Sequence, residues 1–394
     1  MSRILFFAIF LAVVLGVLSG THYYFYLRLV RDTGLSPTWT RFAKWSLVAL
    51  SASLVLTFIL SRLLSNAVTS VVLFLPYVWM GSMLYLLVLL AGADLVKLVA
   101  WAAARLSGHA AWFDVGGRRL LISRLAALTA LGGTAVIAVV AVAGALRAPV
   151  VHKLEIPLKG LDPALDGLTV VQLSDLHLGP TLGRKYLDQV VDRVNELHPD
   201  IVVLTGDLVD GSVEQRQAML EPLKRLTAPL GKFFVTGNHE FYSGWKQWHP
   251  AIEKLGFSLM DNRCLGLERD GAQFVLAGVY DFDGARFDSR WAPDLGRALS
   301  SCRGKGPVIL LSHQARIIEQ AVKMGVALVL SGHNHGGQIW PWSYVVLLQQ
   351  PVISGLHRFG DTFLYVTQGT GFWGPPMRLG TRSEIALLVL RSMR

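Results

Sequence analysis

Cysteine is nearly absent from this sequence. The 394 residues include two, Cys264 and Cys302, and they lack the CxxC spacing of a thiolate metal site or a dithiol redox pair. The two read as unpaired thiols, or as one disulfide if their segment faces an oxidising compartment. Charge is scarce as well, with 16% of residues charged against 52% hydrophobic. Acidic residues almost vanish from the first 149 positions, where three (Asp32, Asp94 and Asp114) stand against twelve basic ones, a balance of +9. The remainder holds twenty-five basic and twenty-four acidic residues, a balance of +1. The net charge of +10 therefore sits between hydrophobic segments and leaves the polar part near neutral, which argues against DNA or RNA as a partner.

Four long runs carry no formal charge at all: residues 4–27, 45–61, 63–93 and 125–146. Each reaches across, or nearly across, a bilayer core of roughly 30 Å at about 1.5 Å per helical residue. The third is overlong and contains Pro76, which predicts a tilt, a kink or a late start. A cleaved signal peptide would account for the first run only, so the chain is predicted to be an integral membrane protein, with residues 1–149 as a region of about four spanning helices. No Asp, Glu, Lys or Arg lies inside the runs, which argues against an ion pathway. Lys and Arg set the orientation. Arg28, Arg31, Arg41 and Lys44 in the first loop, and Lys97, Arg105, Arg118, Arg119 and Arg124 in the third, outnumber Arg3, Arg62, Arg147, Lys153 and Lys159 on the other side by nine to five. Both chain ends, and everything beyond residue 150, are then expected outside the cytoplasm.

From about residue 150 the pattern changes to short apolar runs that each end in polar residues. Buried strands are predicted at 168–173, 201–204, 232–235, 308–311 and 327–330, with an amphipathic helix over 184–197, a hairpin turning at Asp270-Gly271 and a closing strand at 385–390. Helix between parallel strands makes a mixed α/β sandwich. Five strands end in candidate metal ligands, at Asp175 and His177, Asp207, Asn238, His313, and His333 and His335. One Asp or His after a strand is usually a turn residue. Five in series, at the strand ends where α/β sheets gather their ligands, form a pattern.

In that order, Asp175-Leu-His177, Gly206-Asp207-Leu-Val-Asp210, Gly237-Asn238-His239-Glu240, Ser312-His313 and Gly332-His333-Asn334-His335 resemble the motif set of calcineurin-like metallophosphoesterases. The Gly332 to Gln338 block is similar to that of their membrane-associated bacterial branch. The resemblance covers about residues 168–390 and implies a calcineurin-like α/β/β/α sandwich over 150–394. It implies that Asp175, His177 and His335 hold one divalent cation, that Asn238, His313 and His333 hold another, and that Asp207 bridges them. His239 would be the general acid or electrostatic stabiliser at the leaving group, with Asp210 orienting it. Carboxylate, amide and imidazole donors without thiolate suit manganese, with iron or zinc as alternatives. The implied activity is phosphoester or pyrophosphate hydrolysis; the membrane anchor points to a lipid or lipid-linked substrate at a bacterial inner membrane, and the Lys and Arg balance to a site on the periplasmic or extracytoplasmic face. A soluble nucleotide or phosphoprotein substrate, or a scaffold or sensor without activity, are the competing readings.

Three other features remain open in the sequence. Arg378 would either reach a substrate anion or form a surface ion pair. The uncharged stretch 339–348, rich in Trp, Tyr and aliphatics, would be either core or a membrane-facing loop joined by Phe372 and Trp373. Histidines outside the motifs (22, 109, 152, 198, 249 and 357) read as interfacial or surface residues.

Overall fold

The computed structural model describes residues 3–63, 67–108, 116–302 and 304–393. The chain divides into two compact units, one of Met1–Leu64 with Val68–Val142 and one that is essentially Ala143–Arg394.

The first unit is helical: α1 (Arg3–Phe25), α2 (Pro37–Leu63), α3 (Ala67–Leu106) and α4 (Gly116–Ala145). Among the described residues, Val71–Leu106 and Gly117–Ala145 are long and apolar enough to cross a membrane. The 40 residues of α3 run straight through Pro76 and on past Asp94, Lys97 and Arg105, about 60 Å of helix. The helix is continuous across Pro76, and much of the predicted third loop is the last turns of this helix. Arg28 donates to Asp94 at 2.7 Å and to Asp32 at 2.7 Å, and Arg124 donates to the Thr33 carbonyl at 2.9 Å. These bonds gather the first and third basic segments at one end of the unit, as an up-and-down order of helices requires. His22 is buried with its ring on Trp79 rather than interfacial, and His109 lies outside the described residues.

The second unit stacks two six-stranded sheets. Its strands are β1 (Val150–Leu158), β2 (Thr169–Leu173), β3 (Ile201–Leu204), β4 (Lys232–Phe234), β5 (Ser258–Leu259), β6 (Arg263–Arg269), β7 (Ala272–Gly278), β8 (Val308–Leu311), β9 (Leu328–Ser331), β10 (Gly355–Phe359), β11 (Thr362–Val366) and β12 (Glu384–Ser392). One sheet has the order β1-β12-β2-β3-β4-β5 and the other β10-β11-β9-β8-β7-β6. Alternation along each strand assigns its two faces. Val170, Val203, Phe274, Leu276, Ile309, Leu311, Leu328 and Leu330 fill the space between the sheets. On the far side of the first sheet, Val171, Leu173, Val202 and Leu204 pack on Leu187, Val190, Val191 and Val194 of α5 (Arg184–Glu196). Beyond the second, Ala277, Leu310 and Val329 pack on Leu295, Leu299, Ile318 and Ala321. The layers are α/β/β/α.

Cys264 and Cys302 form a disulfide with Cα atoms 6.3 Å apart, so the unpaired-thiol reading does not hold. It ties β6 to the segment that follows the Leu295–Leu299 helix.

Candidate metal centre and its supporting residues

β2, β3, β4, β8 and β9 all stop at the same end of the sandwich, and the loop after each carries the polar residues singled out above. These loops bend sharply. Asp175, His177, Asp207, His333 and His335 all have positive φ, between 45° and 72°, a region that costs a non-glycine residue about 1 kcal/mol or more. Backbone bonds between loops hold them there: Asp175 N–H donates to Gly206 O, and His177 N–H to Asp207 O, both at 3.0 Å. A methyl group on Gly237 would meet Asp207 Oδ1 at 2.1 Å, so only glycine lets the third loop approach the second.

The side chains converge into clusters of ligand atoms, Asp175 with His177 and His335, and Asp207 with His313 and His333, each spanning less than 4.8 Å. Within them, His177 Nε2 is 3.1 Å from His335 Nε2, and His335 Nε2 is 3.5 Å from Asp175 Oδ1. His313 Nε2 is 3.2 Å from His333 Nδ1 and 3.2 Å from Asn238 Oδ1. Asp207 Oδ2 faces a ring from each group, 3.6 Å from His177 Nε2 and 3.2 Å from His313 Nε2. Atoms bound at about 2.1 Å to one cation stand about 3.0 Å apart at right angles and about 3.4 Å apart at the tetrahedral angle. The observed spacings fall around these values. Two imidazole lone pairs facing each other at such a distance repel unless a proton or cation lies between them, so the donors present fit divalent metal.

Electrostatics divide the candidates: against its burial, Asp207 holds His313 well above the usual imidazole range, and burial raises Asp175, whereas His333, His335 and Asp207 shift toward their metal-binding forms. Burial pushes His333 down to about 3 and His335 well below the usual imidazole range, with neighbouring His313 and His177 adding to it, so both rings are neutral and able to ligate. Burial opposes ionisation of Asp207, but the facing His313 and His239 outweigh it and hold its carboxyl well below the usual range.

His239 stands in a third cluster of ligand atoms, with His177 and Asp210, and not in those of Asp207 or His335. Its Nδ1 is 2.5 Å from Asp210 Oδ1, and its N–H donates to Asp207 Oδ1 at 2.9 Å. Burial lowers its basicity, but Asp207 and Asp210 more than offset this and lift its pKa to about 9. Asp210 also reaches His177 Nδ1 with Oδ2, at 3.1 Å. One carboxylate thus sets two rings, where the sequence suggested one.

Two residues that the sequence left without a role support the loops. Glu240, fully buried, accepts N–H bonds from Asp207 (2.9 Å), Leu208 (2.7 Å) and Gly237 (2.6 Å), pinning the second ligand loop to the third. The signal was present: a Glu at the third position of the Asn238–Ser243 helix is where a carboxylate reaches back to free N–H groups. Gln338, behind His335, exchanges two bonds with the backbone of Trp373, at 2.8 and 2.9 Å.

Arg378 neither reaches the surface nor forms an ion pair there. It is 2% exposed and donates to the carbonyls of His335, Gln368 and Gly371. Burial brings it down to about 10. Phe372 is core, whereas Trp373 is half exposed, with its ring 5.5 Å from His239 and 6.5 Å from His177. The stretch after Gln338 is not core: Trp340, Trp342, Tyr344, Leu347 and Leu348 are all exposed.

A family profile described as calcineurin-like phosphoesterase matches residues 168–337. The chain is 40% identical over 267 residues to a zebrafish protein named "Transmembrane protein with metallophosphoesterase domain", covering 66% of this chain and 61% of that protein. It is 36% identical over 322 residues to the bovine protein of the same name, covering 79% and 71%. An uncharacterized metallophosphoesterase of Helicobacter pylori is 39% identical over 232 residues, covering 58% and 61%. The matched stretch thus spans about three fifths of the first of these relatives.

Proposed function

The chain belongs to the calcineurin-like metallophosphoesterase family, a family of metal-dependent phosphoester hydrolases, and from that premise we propose that it is a membrane-anchored, two-metal hydrolase of a phosphoester or pyrophosphate on a lipid or lipid-linked substrate. The observation that carries the reading is the convergence of Asp175, His177 and His335 on one side of Asp207, and of Asn238, His313 and His333 on the other. Manganese suits these donors, with iron or zinc as alternatives. When bound, such a pair supplies Lewis acidity toward phosphoryl oxygens and lowers the pKa of a water.

The chain's own residues do the rest. Asp207, which faces His177 and His313, would share its negative charge between two bound cations and so reduce their repulsion. Asp210 accepts a hydrogen bond from His239 Nδ1–H and, with Asp207, keeps the ring doubly protonated, so that Nε2–H can deliver a proton to the leaving oxygen. Trp373 and Tyr242, with rings 5.5 and 5.3 Å from His239, wall that position and limit water there. A scaffold without activity has no use for this complete set of donors and its strained loops.

We place four spanning helices in residues 1–149 and the catalytic domain in 150–394, on the periplasmic face of a bacterial inner membrane. The excess of Lys and Arg in the first and third loops supports that side, and so does a disulfide in the catalytic unit, since such bonds persist in oxidising compartments.

The test is to incubate the purified full chain with fractionated lipid extract and manganese and to follow released phosphate and altered lipids by mass spectrometry. Metal-dependent conversion of a lipid is expected. Turnover confined to soluble nucleotides would remove the lipid reading, and no turnover with full metal occupancy would remove the hydrolase reading. A reporter active only outside the cytoplasm should work after Arg394 and fail near Gly117; the reverse places the site inside.

A further inference from the structure

Half of the catalytic unit's exposed large apolar side chains gather at one place. Among the described residues from Ala143 onward, fourteen are exposed, and seven of them are Trp340, Trp342, Tyr344, Val345, Leu347, Leu348 and Trp373. From Ile339 to His357 the sequence holds no formal charge. Scattered apolar residues on a surface are ordinary, but a contiguous cluster marks a binding face.

The cluster is built rather than loose. Gln338 bonds to the backbone of Trp373 and Pro375, and Trp340 N–H donates to Leu379 O at 3.0 Å, so both apolar loops are sewn to each other directly behind His335. The Ser343–Val346 helix rests on Gly337, where a methyl group would meet the Ser343 Cα at 2.6 Å. Next to it, an open groove of about 570 Å³ has one apolar wall, of Leu347, Pro351, Val352 and Ile353, and one polar wall that includes Ser354, His357, Gln368 and Thr381, and it reaches Gly336, the residue after His335. That size suits an acyl chain or similar apolar moiety.

Chain continuity selects the occupant. The unit starts at Ala143, and Gly144 lies so close to Arg378 that a methyl group there would stand 2.7 Å from its carbonyl oxygen. Ala145 is buried in the same cluster as Phe372. These first residues of the unit are also the last of the apolar run that ends at 146, so the chain leaves the predicted span next to the loop that carries Arg378 and Trp373. Trp and Tyr favour the headgroup level of a bilayer, where an apolar ring and a polar edge are both satisfied.

We propose that this rim is the membrane-contacting face of the catalytic unit: Trp340, Trp342, Tyr344, Leu347, Leu348 and Trp373 sit in the bilayer interface, and the groove beside Leu347 receives an acyl chain while the phosphate stays at the metal ligands. The proposal rests on the hydrolase reading for its substrate, but the seating of the rim is measured independently.

The full chain is reconstituted in vesicles of phosphatidylethanolamine and phosphatidylglycerol. Because both native cysteines are paired, Leu348→Cys takes a bimane label alone, with Glu268→Cys on the exposed hairpin as reference. Nitroxide-bearing phospholipid should quench the label at 348 and leave that at 268 unchanged. A label at 348 that stays in water overturns the proposal, as does crosslinking of two 348 positions, which would make the face a contact between copies of this chain. In the same vesicles, the double variant Trp342→Ser, Leu347→Ser should raise the apparent KM for phosphatidic acid by about tenfold or more and leave that for p-nitrophenyl phosphate unchanged. Equal loss on both substrates would mean that the stretch only supports the fold. If the unaltered chain hydrolyses neither substrate with manganese, the hydrolase reading fails while the quenching result still decides the rim.

Discussion

Asp210→Asn is the sharpest probe of the site, because one carboxylate holds two rings with different jobs. Oδ1 is 2.5 Å from His239 Nδ1 and Oδ2 is 3.1 Å from His177 Nδ1. Burial disfavours its charge, yet His177 and His239 keep its carboxyl ionised far below the usual range. An amide of the same shape offers one acceptor and one donor. Whichever ring meets the NH2 group loses its Nδ1–H bond and either turns or adopts the Nε2–H tautomer, which takes the Nε2 lone pair from His177; at His239 the amide also removes a charge that keeps the ring doubly protonated, so the ring gives up its proton at lower pH. Loss of the positioned, protonated His239 ring lowers turnover by about 10²- to 10⁴-fold. Loss of the orienting carboxylate behind His177 weakens metal affinity by about 10- to 100-fold.

The two effects separate in a double-mutant cycle with His239→Ala, followed by manganese-dependent hydrolysis of bis-p-nitrophenyl phosphate and by metal analysis. His239→Ala alone should lose at least about 10²-fold in turnover with metal content unchanged. If Asp210 acted only through His239, the double variant would match that single variant. The second bond predicts a further loss in the double variant, accompanied by weaker metal binding. Asp210→Asn with unaltered turnover and unaltered metal affinity would refute the reasoning for both rings.

Asp207→Asn removes the charge shared by both clusters and should cost most activity and at least one bound ion by metal analysis; full activity with two ions would sink the bridging assignment. Cys264→Ser opens a 38-residue loop and should lower the stability of the catalytic unit by about 4 kcal/mol on the loop-entropy account, read as a shift in urea midpoint. His249 bonds to Asp261 at 3.2 Å and, with Glu253 also near, its pKa is raised in the folded chain. Its contribution is therefore fully present below the unfolded pKa of about 6.5 and fades as pH climbs through the raised folded value. The stability gap between the unaltered chain and His249→Gln should follow that course, and a gap that widens with rising pH would contradict it.

The strands that carry the site were legible because each is a short, fully buried apolar run stopped by polar residues, as in β3, where all four positions are buried. Edge strands gave no such pattern. β1 exposes Val150, His152, Lys153 and Glu155 and buries only Ile156 and Leu158, and β10 has no buried position. Arg378 was misread for a related reason: a lone Arg after two prolines looks like surface, and only the fold shows three carbonyls turned toward it. Pro76 is the opposite case, a strong breaker by local rules that α3 absorbs within its 40 residues.

Residue type also leaves the backbone state of the ligands hidden. Nothing in the letters Asp, His, Asp, His, His at 175, 177, 207, 333 and 335 announces that all five take a left-handed conformation. The glycines beside them hint at tight turns, but the strain is borne by the ligands themselves and needs compensation from elsewhere. The Glu240 carboxylate supplies part of it through three backbone N–H bonds spread over two loops. Asp175 supplies more, since both of its oxygens take the His333 N–H, at 3.0 and 3.1 Å. A candidate ligand on the first loop thereby fixes the backbone of the last, across 158 residues. The site is thus cross-braced through its own ligands. Removing one of them disturbs the geometry of the others as well as the donor count, and metal affinity should fall more steeply than a sum of independent bonds would give.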